Sequence, residues 1–126
     1  VKYASKAIEL DSTYYSAYEL RAEAFDVMHN PLAIADYSRC IQIVEAEENV
    51  ETEFTELLAE LYRERGRVKW NVNDSTALED FTRSIRLFPS ASGFGYRAEW
   101  HYRHGFYLEA INDFDSVLVH KPSSEY

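Results

Sequence analysis

The chain repeats one short pattern four times along its length. In each copy an aromatic or small residue stands three positions before a small residue, and a larger apolar residue follows at once. The small residues of the four copies are Ala7, Cys40, Ser84 and Val117. The first and last intervals between them are 33 residues, and the middle interval is 44 residues. A period of this length is typical of supersecondary units that stack on one another.

The longer middle interval contains an insertion at 46–57. Its excess of 11 residues corresponds to about three turns at roughly 3.6 residues per turn, so a helix can lengthen without rotating its apolar face. We expect the helix that ends at Trp70, or the one before it, to project beyond its neighbours. Two alternatives remain for the apolar side chains on this extension: they pack on the preceding helix, or they form a docking ridge for another subunit. These residues are Phe54, Leu57, Leu58 and Leu61.

The spacing of apolar residues predicts seven helices, because such residues recur at three- and four-residue steps. The predicted ranges are 1–10, 13–28, 31–47, 52–70, 76–88, 91–103 and 107–120. Asn30-Pro31 is typical of a helix start, and Thr76 with Glu79 has the spacing of a reciprocal cap. Gly105 suits a left-handed helix end. With only 4 Gly and 3 Pro, the chain has few of the turn residues that an all-β fold needs.

The predicted fold is therefore all-α, an α-solenoid of about seven helices in antiparallel pairs, each pair covering the apolar face of the next. We expect one array over 1–126. Its parts are the second helix of a partial repeat at 1–12, repeats at 13–45, 58–90 and 91–122 around the insertion at 46–57, and a tail at 123–126.

The pattern resembles the tetratricopeptide repeat family. The last unit matches the family's spacing through Phe94, Arg97, Ala98, His101, Gly105, Ala110, Ile111, Phe114, Val117 and Pro122. The resemblance implies a right-handed superhelix whose concave groove binds a protein or peptide partner. An aromatic-x-x-Arg pattern also recurs, as Tyr18…Arg21, Tyr62…Arg65 and Phe94…Arg97. It is similar to prenyltransferase α subunits, which leaves a helical regulatory or substrate-presenting subunit of an enzyme complex as the alternative function.

The resemblance also places residues in the groove, since the first helix of each unit lines it. These residues are Glu19, Glu23, Asp26, Arg63, Arg67, Trp70, Glu99, Tyr102 and Arg103. A groove with an acidic end and a basic, aromatic middle suits a partner segment with carboxylates and an apolar anchor opposite Arg63, Arg67 and Trp70. The alternative is a set of solvated helix faces with weak pairs such as Glu64 to Arg67.

Charge and residue content exclude several functions. The net charge of −9 argues against nucleic acid as a partner, because a polyanion is bound by clustered Lys and Arg. No apolar run approaches the roughly 20 residues that span a bilayer. The single Cys40 excludes an internal disulfide, is compatible with a reducing, cytoplasmic compartment, and stands where the repeat needs a small buried residue. His101 and His104 have no third ligand nearby in sequence. We expect no catalytic residues, cofactor or metal.

In this interpretation, the apolar faces of the first and last helices have no neighbouring helix to cover them. The chain begins with half a unit and ends without the polar helix that shields the last apolar face of a solenoid. Ile111, Phe114 and Leu118 should then be partly open. We expect either further sequence beyond both ends or contact with another protein there, and self-association through the uncapped ends is a third alternative.

Overall fold

The computed structural model describes residues 1–11, 14–47 and 52–121, with the side chains of 52 and 53 left out. Within these residues the chain forms seven α-helices and no strand. They are α1 (Lys2–Leu10), α2 (Tyr15–Val27), α3 (Leu32–Glu45), α4 (Thr52–Asn71), α5 (Ala77–Leu87), α6 (Ala91–Arg103) and α7 (Tyr107–His120). The prediction of an all-α chain with seven helices is confirmed. Pro122, the tail at 123–126 and part of the insertion at 46–57 lie outside the described residues.

Each helix packs against its neighbours in the sequence. Two contacts between α2 and α3 show the relative direction of these helices. The Cys40 thiol donates to the Tyr15 carbonyl at 3.3 Å, and Arg21 contacts Asp36. An early residue of α2 therefore meets a late residue of α3, and the two helices are antiparallel. The pairs α4/α5 and α6/α7 follow the same scheme.

The main apolar core lies between α2, α3 and α4, and α4 carries the helical part of the insertion. At 20 residues, α4 is longer than α2 and α6 at 13 residues each. Leu58 and Leu61 are core residues, and Phe54 and Leu57 pack against the same cluster. These four side chains therefore pack inward on the preceding helices, the first of the two alternatives for the insertion.

The helix ends are set by local side chains. The Asn30 side-chain oxygen accepts a hydrogen bond from the Leu32 amide at 3.0 Å, as predicted, and Gly105 takes a left-handed φ of 84°. Ser90, not anticipated from the sequence, caps α6 by accepting from the Gly93 amide at 3.0 Å. These contacts satisfy amides that have no partner inside a helix.

The reciprocal cap predicted from Thr76 and Glu79 is wrong. The Thr76 side chain makes no cap hydrogen bond at α5. Instead the Asp74 carboxylate accepts bonds from the amide and the hydroxyl of Thr76, at 2.8 and 2.7 Å. Asp74 thus accepts from the Thr76 amide, the donor that Glu79 would have to engage in a reciprocal cap.

No helix in the described part of the chain combines the length and apolar character that a bilayer span requires.

Candidate partner-binding site

Three arginine–aspartate pairs fix the helix pairs from which the candidate site is built. The pairs are Arg21 with Asp36, Arg65 with Asp80, and Arg97 with Asp113. In each, the Nε and one terminal nitrogen of the guanidinium donate to the two carboxylate oxygens at 2.7–2.9 Å. The planar guanidinium matches a carboxylate in this bidentate geometry. Each pair therefore sets the rotation of a first helix against its second helix.

The remaining terminal nitrogen of each arginine reaches the preceding helix pair. The three arginines donate to the hydroxyls of Ser5, Ser38 and Thr82, at 3.3, 3.1 and 3.5 Å. One guanidinium thus joins three helices, and the same junction occurs three times. We call the hydroxyl position of each second helix the junction position. The recurring aromatic-x-x-Arg pattern has a structural explanation in these contacts.

Sequence reasoning missed the aspartates of these pairs, although a signal was present. An aspartate directly precedes the aromatic residue of the repeated pattern, as Asp36-Tyr37, Asp80-Phe81 and Asp113-Phe114. All three aspartates are buried. A buried carboxylate requires a cationic partner, so a repeated acidic residue beside a core aromatic residue could have predicted the pairing.

The first of two clefts lies between α2 and α4, and we call it the acidic cleft. It is lined by Glu19, Glu23, Asp26 and Val27 of α2, Tyr37 of α3, and Glu60, Leu61, Glu64 and Arg67 of α4. Leu61 and Tyr37 are buried and form its floor, while the carboxylates form its walls. Its volume is about 290 Å³, near the lower limit of roughly 300 Å³ for small-molecule pockets. The size suits a side chain better than a cofactor.

The guanidinium of Arg67 is already occupied in this cleft. It donates to Asp26 across the cleft and to Glu64 one turn away on α4, at 2.8 and 3.1 Å. These contacts bridge α2 and α4. Arg67 is therefore not a free receptor for the carboxylates of a partner, and the excess charge of the cleft is negative.

The pKa of the Glu19 carboxyl reflects its burial and this negative charge. Burial raises the pKa of the Glu19 carboxyl, and repulsion from Glu23 and then from Glu60 raises it further. Three carboxylates from two helices thus face a common space. Like charges brought together in this way favour an added cation.

The second cleft lies between α4 and α6, and we call it the tryptophan cleft. It is lined by Trp70, Asn71, Glu99 and Arg103. The indole of Trp70 is held by Phe81, whose ring lies edge-on with centroids 6.2 Å apart. Glu99 and Arg103 are exposed, so this cleft presents both charges beside an aromatic surface.

Two residues predicted for the groove line neither cleft. The ring of Tyr102 contacts Tyr107 of α7 edge-on, with centroids 5.6 Å apart. Arg63 lies with its Nε 3.6 Å from a Glu64 carboxylate oxygen, and that buried nitrogen has no hydrogen-bond partner among the described residues. The structure thus divides the predicted residues into Glu19, Glu23, Asp26 and Arg67 in one cleft, and Trp70, Glu99 and Arg103 in the other.

Other chemically active side chains serve the helix packing. Burial raises the pKa of the Cys40 thiol to about 12, so the thiol stays protonated and unreactive at neutral pH. The Nε2 of His101 lies 3.7 Å from a carboxylate oxygen of Asp113, and the ring of His104 stacks on Trp100 at 3.8 Å between centroids. The described residues contain no cluster of three or more His, Cys, Asp and Glu that could hold a metal.

No protein-family model matches the chain, and no curated protein matches its sequence. The functional conclusion consequently depends on the clefts and on the charges that line them.

Proposed function

We propose that the chain is a non-catalytic protein-interaction module of the tetratricopeptide repeat type. In this proposal the helix pairs form an α-solenoid with a right-handed superhelical course, and α2, α4 and α6 line its concave groove. A partner peptide or subunit binds in that groove. The threefold recurrence of the arginine junction supports this architecture, because identical junctions between successive pairs generate a regular array.

The observation that carries the proposal is the charge of the acidic cleft. Five carboxylates line it, against the single guanidinium of Arg67, and Arg67 already pairs with two of them. The partner segment should therefore bring lysine or arginine side chains, in place of the carboxylates that the sequence suggested. Repulsion from Glu23 and Glu60 adds to the burial that raises the pKa of Glu19, and a bound cation would relieve that repulsion.

The tryptophan cleft supplies the second contact of this proposal. An aromatic face accepts either an apolar anchor or a guanidinium by cation–π interaction. Trp70 lies on the same helix as Glu60 and Glu64, toward its C-terminal end. A basic segment that crosses α4 can place its cations in the acidic cleft and an anchor on Trp70.

The experiment compares fluorescent peptides of equal length that carry alternating lysine, alternating glutamate or only uncharged residues. We expect the lysine peptide to bind most tightly and to weaken as salt rises, because ions screen exposed charges over about 8 Å at physiological ionic strength. Fluorescence anisotropy gives each dissociation constant.

Matched variants locate the binding site. The double variant Glu23→Gln/Glu60→Gln removes two charges from the acidic cleft, and Glu79→Gln/Glu109→Gln removes two exposed charges from α5 and α7. The cleft variant should weaken the lysine peptide by about 2- to 30-fold, at roughly 0.2–1 kcal/mol per exposed pair, with a smaller effect in the control. Equal loss in both variants, or tighter binding of the glutamate peptide, contradicts the proposal.

A further inference from the structure

We propose that the outer face of α7 is a docking site for an arginine-bearing helix. The occupant is the first helix of an antiparallel helix pair that belongs to a partner and presents an arginine toward Asp115. This inference concerns the end of the helix array and does not depend on the acidic cleft.

The apolar part of the site follows from comparison with α3 and α5. Tyr37 of α3 and Phe81 of α5 are 2% and 0% exposed, whereas Phe114, the equivalent residue of α7, is 44% exposed. One turn later, Ile41 and Ile85 are 3% and 7% exposed, and Leu118 is 60% exposed. In α3 and α5 a following first helix packs on the second helix. The open residues of α7 occupy the positions that such a helix covers.

The polar part of the site is the junction position. In α1, α3 and α5 this position holds Ser5, Ser38 and Thr82, and each hydroxyl accepts from the arginine of the following first helix. In α7 the same position holds Asp115, one residue after Phe114. A carboxylate there is a stronger acceptor for a guanidinium than a hydroxyl is. It also penalises a partner without a cation, because docking would bury an uncompensated charge.

Charge disfavours a symmetric contact between two copies of α7. The charged residues of this helix are Glu109, Asp113 and Asp115, with neither lysine nor arginine. Asp113 is already held by Arg97. Two α7 faces brought together would place exposed carboxylates near one another without any guanidinium, which costs free energy.

The sequence suggests how to build a probe for this site. Pro122-Ser123 follows α7 at the distance at which Pro89-Ser90 follows α5. A second copy of Ala91–Lys121 placed directly after Ser123 therefore offers α7 a helix pair of the required type, with an arginine equivalent to Arg97. We call this extended protein the fusion.

Docking is measured by thiol labelling of Leu118→Cys in a Cys40→Ser background. We expect labelling in the fusion to be at least tenfold slower than in the unextended chain. Val119→Cys is the matched control, because Val119 is 78% exposed on the neighbouring position of α7 and should label at the same rate in both proteins.

Two further variants test the arginine–Asp115 contact. Replacing the appended arginine by glutamine, or Asp115 by arginine, should reduce the protection of Leu118→Cys to less than twofold. Asp115→Ser restores the hydroxyl of the internal junctions and should tolerate the glutamine replacement. Circular dichroism of the unextended Asp115→Arg chain should match that of the parent.

Three outcomes overturn the proposal. The first is no protection of Leu118→Cys in the fusion, and the second is protection that is insensitive to Asp115 and to the appended arginine. The third is protection in the unextended chain that rises with concentration together with a doubled mass, which would identify a second copy as the occupant.

Discussion

At the scale of single residues, the arginine–aspartate pairs are sensitive to the loss of either partner. Asp80 receives Arg65 in a bidentate contact and also lies 3.1 Å from the Lys69 amine. Its side chain is 5% exposed, and that of Arg65 is 18% exposed. Removing one partner of such a pair leaves a buried charge without compensation, which costs more than the pair itself contributes.

We predict that Asp80→Ala lowers the free energy of unfolding by about 3–5 kcal/mol. The substitution leaves both Arg65 and Lys69 without their shared carboxylate. Urea denaturation followed by circular dichroism measures the change. Glu79→Ala, at an exposed neighbouring position of α5, is the control and should change stability by less than about 0.5 kcal/mol. Similar losses in the two variants would contradict the assigned role of Asp80.

A second residue-scale prediction concerns the Cys40 thiol. Burial raises its pKa from an ordinary value of 9.0 to about 12, so the folded state keeps a proton that the unfolded state releases. The contribution of this protonated thiol to the free energy of unfolding is fully present below pH 9 and is lost as pH rises toward 12. Between these limits the free energy of unfolding should fall by about 1.4 kcal/mol per pH unit because of this group.

Cys40→Ser isolates that contribution. Its hydroxyl can donate to the Tyr15 carbonyl as Ser84 donates to the Ala59 carbonyl at 2.6 Å, but it does not titrate in this range. Unfolding free energies measured from pH 8 to 11 should therefore fall more steeply for the parent chain than for the variant. Parallel curves would show that Cys40 does not titrate as its burial requires.

At the residue scale, sequence predicted which positions pack but not which charges pair. Cys40 was expected to be small and buried, and it is 0% exposed. Arg67 was expected to face a partner, yet it binds Asp26 on another helix, 41 residues away. Neither that contact nor the pairing of Arg65 with Asp80 follows from periodicity, because each depends on how two helices rotate against one another.

Among the helices, α4 and α5 approach each other closely at Gly66. A methyl group added there would lie 2.9 Å from a ring carbon of Phe81 and 3.0 Å from the Asp80 Cβ. Residues equivalent to Gly66 in the other first helices are Ala22 and Ala98, each 0% exposed. Small side chains at this position let the two helices of a pair approach, and in α4/α5 the Phe81 ring leaves no room for a methyl group at Gly66.

We predict that Gly66→Ala lowers the free energy of unfolding by about 1–3 kcal/mol through overpacking, although alanine is the better helix former by about 1 kcal/mol. Gly95→Ala is the matched control, since its added methyl would meet only Val117, at 3.9 Å. The control should be stabilised by about 0.5–1 kcal/mol. Urea denaturation distinguishes the two signs, and stabilisation by both substitutions would contradict the close contact.

Helix positions were predictable because they depend on local signals. The apolar period and the capping residues Asn30 and Gly105 are signals that involve only a few neighbouring residues. The predicted helix ranges agree with the structure to within a few residues at each described end. The cap at Thr76 failed for a local reason as well, since Asp74 two residues earlier accepts from the Thr76 amide that the cap requires. The seven helices thus follow from the sequence, while the competition between neighbouring acceptors did not.

For the whole molecule, seven of the nine predicted groove residues line the acidic or the tryptophan cleft, and their placement follows from helix register. Arg63 and Tyr102 line neither cleft. An acidic end was expected from the carboxylates of α2, but the sequence could not show that Arg67, expected in a basic middle, is paired with Asp26 and Glu64. The contact with Asp26 forms only when α2 and α4 lie side by side, whereas the pair with Glu64 lies within α4.

The recurrence of an equivalent arginine in three first helices has an evolutionary consequence. The α2/α3 and α4/α5 hairpins each carry both halves of the junction, a guanidinium on the first helix and a hydroxyl acceptor on the second. Duplicating the coding sequence of one such hairpin would therefore also duplicate the arginine and the hydroxyl that join it to its neighbours. Such a gene could gain or lose modules by unequal recombination without inventing a new interface each time.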